Sequence, residues 1–201
     1  MKTYIIKKTS TADVCWETIP ELSLDERYLD TPEDAKAWAQ ICYNEEAMFV
    51  HLWANEKEIR REETGLLGEP YHDSCLEFFF SPEGTDQRYF NMEFNSNRCL
   101  YLGFGAGLGT ATRLIVDIDA VFSPKVNFSD DGWEIFYTVP FSFIRRFFPD
   151  FTVTEGKTIR ANCYKCADEM TPGHFLSWNP VNTDPLSFHA PDCFGEMTFG
   201  D

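Results

Sequence analysis

The chain has 201 residues, of which 43% are hydrophobic and 16% aromatic, so it can bury a substantial core and is not disordered over most of its length. Its 33 acidic and 17 basic residues give a formal net charge of -16, which disfavours nucleic acid and anionic membrane surfaces as partners. The 19 phenylalanines favour strands over helices, because aromatic rings fit a pleated, half-buried surface.

The amino-terminal segment does not resemble an export signal. Residues 1–16 carry lysines but only a three-residue apolar patch, and no apolar run in the chain approaches the length that spans a bilayer. The seven cysteines are odd in number and scattered. We therefore expect reduced thiols and a cytoplasmic location, although a chain trimmed of its signal would look the same.

Alternation of apolar and polar residues predicts strands along most of the chain. In chain order, these segments are residues 47–56, 74–84, 87–97, 99–105, 132–141 and 157–167. In the third segment, Phe90, Met92 and Phe94 fall on one face of a strand that we expect to be half-buried. The opposite face carries Tyr89, Asn91, Glu93 and Asn95.

Evidence for helices is thin. Residues 141–148 predict one or two helical turns before Pro149, and the charged residues 54–63 predict a short surface helix or a mobile loop. The glycine-rich residues 103–110 lack the spacing of a dinucleotide-binding motif and predict a flexible loop. We predict one all-β domain over residues 1–201: a two-sheet antiparallel β-sandwich, of immunoglobulin-like or jelly-roll type, with one or two short helices.

Metal-binding and catalytic motifs are weak. Cys163 and Cys166 have the spacing of half a zinc site, but strand alternation points them to opposite faces, so we interpret them as strand residues. The four histidines form no HExxH motif, and no GxSxG motif is present. The sequence therefore predicts no catalytic residue.

Aromatic and polar residues that share a strand face are more informative, because sugars stack on rings and present hydroxyls to polar groups. Arg160 and Asn162 share one such face, which an ordinary solvated sheet surface would also explain. Trp178 stands just before Asn179 and Pro180, where a strand ends and a loop begins. Strand alternation alone leaves Trp178 open as either a core residue or a platform for a ligand.

Four stretches in order carry a family resemblance. They are DSCLEFFFSPEG (73–84), DDGWEIFYTVPFSFI (130–144), IRANCYKCAD (159–168) and FLSWNPVNTDPLSFHAPDCFGEMTF (175–199). Together they resemble the family 9 carbohydrate-binding modules and their DOMON-like relatives, over residues from about 35 to 201.

The resemblance implies a β-sandwich that binds a mono- or oligosaccharide without catalysis, in the service of carbohydrate catabolism. In that family, two aromatic rings sandwich a sugar, polar side chains hold its hydroxyls, and calcium ions stabilise loops. No motif locates calcium ligands here. The residues that match the family's binding positions are Trp178 and Tyr71 as platforms, with Glu77, Arg98, Arg160 and Asn162 as polar contacts.

Two other functions remain open. A glycoside hydrolase could use Glu77 and Glu93 as its acid and base, since such enzymes need two carboxyl groups. A DOMON-like haem domain could use Met92 or a histidine as an axial ligand, although the apolar face on which Met92 falls favours core packing.

Overall fold

The structure is a computed structural model that describes residues 1–10, 13–84 and 86–201. These residues contain fourteen strands and two short α-helices, α1 (Ile118–Val121) and α2 (Phe141–Ile144). The strands are β1 (Thr3–Lys8), β2 (Leu22–Ser23), β3 (Glu26–Arg27), β4 (Lys36–Tyr43), β5 (Ala47–Asn55), β6 (Cys75–Ser81), β7 (Tyr89–Asn95), β8 (Leu100–Gly105), β9 (Thr112–Arg113), β10 (Lys125–Phe128), β11 (Gly132–Pro140), β12 (Thr158–Cys166), β13 (Leu176–Ser177) and β14 (Gly195–Phe199).

The strands form two layers, here called the front sheet and the back sheet. The front sheet has the order β9-β8-β7-β6-β12-β14-β1, with β13 and β3 attached beside β12. The back sheet has the order β10-β11-β5-β4-β1, with β2 on β4. The predicted β-sandwich is thereby confirmed.

One strand belongs to both layers. Residues 3–6 of β1 run parallel to β14 in the front sheet, and Lys7 and Lys8 then run parallel to the end of β4 in the back sheet. β1 is the exception to the predicted antiparallel pairing, since both of its pairings are parallel. Pairings between segments far apart in the chain leave no local turn signal in the sequence.

The core lies between the two sheets. Phe90, Met92 and Phe94 are fully buried in it, as the alternation of β7 predicts. The ring of Phe94 reaches across to Tyr137 of the back sheet, with ring centroids 5.0 Å apart. Each fully buried side chain of this size stabilises the fold by about 1.5–3 kcal/mol relative to an exposed one.

The outer face of the front sheet is also buried, which corrects the half-buried prediction for β7. Tyr89, Asn91, Glu93 and Asn95 are all 3% exposed or less. Residues 179–194 cross this face and pack Val181, Ala190 and Phe194 against Tyr89 and its neighbours. The front sheet therefore has a second apolar layer on its outside.

The helix predictions had mixed outcomes. Helix α2 lies within the predicted residues 141–148, whereas residues 54–63 begin as the end of β5 and continue without helix. Gly103 and Gly105 belong to β8 rather than to a loop, and a Cβ at Gly103 would lie 2.1 Å from Oδ1 of Asn91. In the described part of the chain, no helix is both long and apolar enough to cross a membrane.

A charged cluster lies inside the core, here called the Glu56 cluster. The Lys165 ammonium lies 3.0 Å from the Glu56 carboxylate, and both side chains are completely buried. Trp133 and Ser74 donate hydrogen bonds to the same carboxylate at 2.7 and 3.0 Å, and Nδ1 of His174 lies 3.2 Å away. Burial opposes ionisation of Glu56, but Lys165 and these donors more than offset it and lower its pKa to about 2.

Candidate functional site

A pocket of about 350 Å³ opens on the outer face of the front sheet, here called the front pocket. Its floor is formed by β6, β7, β8 and β12, and residues 186–189 form one wall. Its aromatic lining consists of Tyr71, Phe79, Tyr101, Phe175 and Phe188, with Leu108 and Leu186 beside them. Its polar lining consists of Glu77, Glu93, Cys166, Asp168, Ser187 and His189.

Glu77 and Glu93 lie side by side on the floor of the front pocket. They are direct partners in the antiparallel register of β6 and β7, and each is 3% exposed. The same row continues to Tyr164 on β12 and to Tyr101 on β8. Because directly opposed residues on one sheet face have adjacent side chains, the register brings two carboxyl groups together under the pocket.

Burial makes both carboxyl groups hard to ionise. Loss of solvent, with a smaller contribution from the nearby Asp168, raises the pKa of Glu93 to about 8, although Asn91 opposes this by donating to Oε1 of Glu93 at 2.6 Å. Burial and the proximity of Glu93 raise the pKa of Glu77 well above its usual range, and the neighbouring Cys166 opposes this only in part. At neutral pH the pair therefore retains protons and can both donate and accept hydrogen bonds.

Tyr71 is positioned by the buried Asp73, the first residue of the DSCLEFFF motif. The Asp73 carboxylate pairs with Arg60 and accepts hydrogen bonds from the backbone N–H of Glu63 at 2.8 Å and from the Asn95 amide at 2.7 Å. This network ties the segment before β6 to β7, so that the short turn Pro70–His72 holds Tyr71 at the pocket.

The aromatic lining is a connected set of rings. Tyr71 and Tyr101 meet edge to face with centroids 6.0 Å apart. On the other side, Phe188 stacks on Tyr164 at 4.3 Å with an interplanar angle of 13°. These contacts fix the orientation of the rings and leave an apolar wall around a polar floor, an arrangement typical of small-molecule sites.

Of the six residues that the sequence pointed to, Tyr71 and Glu77 line the front pocket. Trp178 does not: it is 4% exposed and packs in the core between the sheets. Its ring lies so close to β14 that a Cβ at Gly195 would come within 2.6 Å of it. The structure thus places the Trp178 ring in the core, and its platform role stays a prediction from the resemblance.

Asn162 and Arg160 do not line the front pocket; they bind residues 179–194, the segment that crosses the outer face of the front sheet. Asn162 accepts a hydrogen bond from the backbone N–H of Asn179 at 2.8 Å and donates to the Asn179 carbonyl at 2.9 Å. Arg160 donates to the carbonyl of Phe194 at 2.8 Å. These two residues therefore fasten both ends of residues 179–194 to β12.

Arg98 lies outside the front pocket, on the hairpin that joins β7 and β8. Its φ is 61°, and its guanidinium forms an ion pair with Asp119 at 2.7 Å. It lines a separate, smaller cavity of about 200 Å³ together with Leu66 and Cys99.

The sequence did not identify Tyr101, Asp168, Phe175 or Phe188 as site residues. Alternation along 99–105 predicts on which face of its strand Tyr101 lies, but not which strand pairs with it. Asp168, Phe175 and Phe188 lie outside long strands, where periodicity carries no information. Glu93 was considered only as an acid or base. Its outward direction was readable from the sequence, but its pairing with Glu77 depends on the register between two strands.

One group of three metal-ligand side chains occurs within residues 1–10, 13–84 and 86–201. The ligand atoms of Cys75, Glu77 and Cys166 lie within 4.8 Å of one another. Two thiols and one carboxylate do not fit calcium, which takes oxygen ligands; they suit a thiophilic metal. Cys163 faces the core on the other side of β12, as alternation predicts, and so does not join this group.

The haem alternative finds no support at Met92. This side chain is fully buried on the core face of β7, opposite the face that carries Glu93 and the front pocket. Met92 therefore packs as a core residue and does not face the pocket as an axial ligand would.

Comparison with known proteins gives consistent matches. The sequence model of Carbohydrate-binding family 9 matches residues 10–199. A candidate carbohydrate-binding protein from Bacteroides uniformis ATCC 8492 is 28% identical in sequence, with a TM-score of 0.82 over 98% of this chain and 99% of that chain. Among curated protein sequences there is no significant match.

Two further similar structures are of a family 9 carbohydrate-binding module from Caldicellulosiruptor kristjanssonii. The complex with cellotriose has a TM-score of 0.70 at 12% identity and covers 99% of this chain and 94% of that one. The complex with glucose has a TM-score of 0.70 at 13% identity and covers 100% of this chain and 97% of that one. At such identities the similarity establishes the fold, which is shared over nearly the whole length of both chains.

Proposed function

Because the chain belongs to carbohydrate-binding family 9, we propose that it binds a saccharide in the front pocket without catalysing its conversion. The observation that carries this proposal is the pocket itself, which has an aromatic wall above two buried carboxyl groups. Related modules have been solved with cellotriose and with glucose, which makes glucose and short glucans the first ligands to test.

The proposed binding mode differs from a tryptophan sandwich. Tyr71 and Tyr101 on one side and Phe188 on the other supply the rings against which the apolar face of a sugar packs. Glu77 and Glu93 below them meet the hydroxyl groups, since each can donate or accept while the pair is protonated. In this binding mode the aromatic wall stacks on the sugar ring, and the carboxyl groups of the floor recognise its hydroxyls.

Isothermal titration with glucose, xylose and cello- and xylo-oligosaccharides tests this proposal. We expect saturable binding that Tyr71→Ala and Glu77→Gln weaken by about tenfold or more, the loss equivalent to one good hydrogen bond or ring contact. Arg98→Ala is the matched control, because Arg98 lies in the other cavity, and it should leave affinity unchanged. Absence of binding at millimolar concentrations of every saccharide would contradict the proposal.

Hydrolysis is the second candidate, because Glu77 and Glu93 are neighbours on one sheet face. Directly opposed residues have Cβ atoms about 4.5–5.5 Å apart, near the carboxyl separation of about 5–5.5 Å in retaining glycosidases. A retaining mechanism also needs one carboxylate ionised as nucleophile, whereas burial raises the pKa of both groups here. Release of nitrophenol from aryl glycosides, abolished in Glu77→Gln, would establish hydrolysis; we expect no release.

A further inference from the structure

The front pocket has carboxyl groups but no cationic side chain in its lining. Glu77, Glu93 and Asp168 all line it, and within the described residues no lysine or arginine does. His189 is the one basic residue in that lining, and burial lowers the pKa of its imidazole, which keeps it neutral at pH 7. Its Nδ1 also lies 2.9 Å from the hydroxyl of Tyr89, so the ring is already engaged.

The nearest cations are bound elsewhere. Arg113 lies over the ring of Tyr101 at 4.6 Å, but its guanidinium donates to the carbonyls of Gly68 at 2.6 Å and Leu67 at 3.2 Å. Lys165 projects from the other face of β12, into the Glu56 cluster. The acidic floor therefore has no cation of its own to balance it if its protons leave.

The wall above that floor also suits a positive charge. Tyr71, Tyr101 and Phe188 surround the cavity, and aromatic faces attract ammonium groups most strongly where water is excluded. The carboxyl groups at its base would form charge-assisted hydrogen bonds to the same ammonium, which are about twice as strong as neutral ones. Wall and floor thus favour the same kind of ligand.

We propose, on the basis of the saccharide binding proposed above, that the front pocket selects an amino sugar, with its protonated amine on Glu77 and Glu93, over the corresponding neutral sugar. Of the two carboxyl groups, Glu93 has the stronger support from the protein, since the Asn91 amide donates to it at 2.6 Å. Asp168, at the pocket wall, adds a third acidic group facing the same space.

The test compares glucosamine, glucose and N-acetylglucosamine by titration calorimetry at about pH 6, where a primary amine is protonated. The protein is first dialysed against EDTA, so that no metal occupies Cys75, Glu77 and Cys166. We expect glucosamine to bind about 10–100-fold more tightly than glucose, as one charged hydrogen bond implies.

A matched pair of variants isolates the charge. Glu77→Gln should reduce the preference for glucosamine over glucose by about tenfold while circular dichroism shows an unchanged fold. Arg98→Ala, outside the pocket, should keep the full preference.

The outcomes separate the two proposals. If glucose or N-acetylglucosamine binds as tightly as glucosamine, the inference fails and the saccharide proposal stands. If none of the three binds and the oligosaccharides also fail, the saccharide proposal itself fails. Cyclohexylamine serves as a sugar-free amine, and its binding as tightly as glucosamine would overturn the assignment to an amino sugar.

Discussion

Buried carboxyl groups lie on both sides of the front sheet, Glu56 on its core side at the end of β5 and the Glu77–Glu93 pair on its outer side, and they differ in what accompanies them. On the core side, Glu56 has Lys165 and a set of hydrogen-bond donors, so its charge is compensated. On the outer side, Glu77 and Glu93 face each other across β6 and β7 with no cation in the pocket lining that the structure describes. A buried charge that is paired within the protein supports the fold, whereas an uncompensated buried pair beside a cavity indicates a ligand.

The largest expected effect comes from breaking the paired cluster. Lys165→Met leaves Glu56 ionised and unpaired in the core, which should lower the free energy of unfolding by about 3–5 kcal/mol. Urea denaturation followed by tryptophan fluorescence measures it. The double variant with Glu56→Gln should recover much of the loss, and Lys57→Met, in an exposed pair with Asp34, should leave the midpoint unchanged.

Substitutions of Trp178 and Tyr71 compare a single ring on the core side of the front sheet with a single ring at the pocket on its outer side. Trp178→Ala should lower the free energy of unfolding by about 3–5 kcal/mol, because it opens a cavity in the core. Tyr71→Ala should change stability far less, since Tyr71 lies at the pocket, and should instead weaken ligand binding. Strong loss of binding in a Trp178→Phe variant of unchanged stability would instead favour a platform role for Trp178.

Per pH unit, the smallest effects should appear in the pH dependence of stability, at most about 1.4 kcal/mol for one group, and here the two groups act in opposite directions. Glu93 holds its proton more tightly when folded, so its stabilisation should be lost as pH rises from about 4.5 to about 8. Glu56 holds its proton less tightly when folded, so its stabilisation should be lost as pH falls from about 4.5 towards about 2.

Thermal denaturation across this range measures both slopes. Glu93→Gln should flatten the decline above pH 4.5 and leave the acid limb in place. Glu155→Gln, at an exposed position, is the matched control and should preserve both limbs. A wild-type stability that rises between about pH 5 and pH 8 would contradict the assignment of raised pKa values to the pair.

The sequence predicted the layers of this fold better than its site. Alternation correctly placed Phe90, Met92 and Phe94 in the core and Glu93 opposite them, because side-chain direction in a strand is a local property. Leu176 shares the face of Trp178 and is buried with it, but alternation alone did not decide between a core and a platform role for Trp178.

What the sequence could not supply was long-range. The burial of the outer face depends on residues 179–194, which lie far along the chain from β6 and β7. The roles of Asn162 and Arg160 also depend on residues 179–194. Their hydrogen-bond partners are backbone groups of that segment, which the residue types in the sequence do not reveal. Polar residues on a strand face thus include some that line the pocket and others that hydrogen-bond to residues 179–194. Only the tertiary structure distinguishes the two roles.

The position of β1 has a consequence for how the protein is made. Its residues 3–6 pair with β14, and residues 7 and 8 pair with β4, so the seam between the two sheets joins the earliest and latest strands of the chain. During synthesis this seam cannot close until residue 199 has left the ribosome, and contacts of such large sequence separation form slowly. Until then β12 and residues 3–6 of β1 carry unpaired edges, which expose the nascent chain to aggregation along this seam.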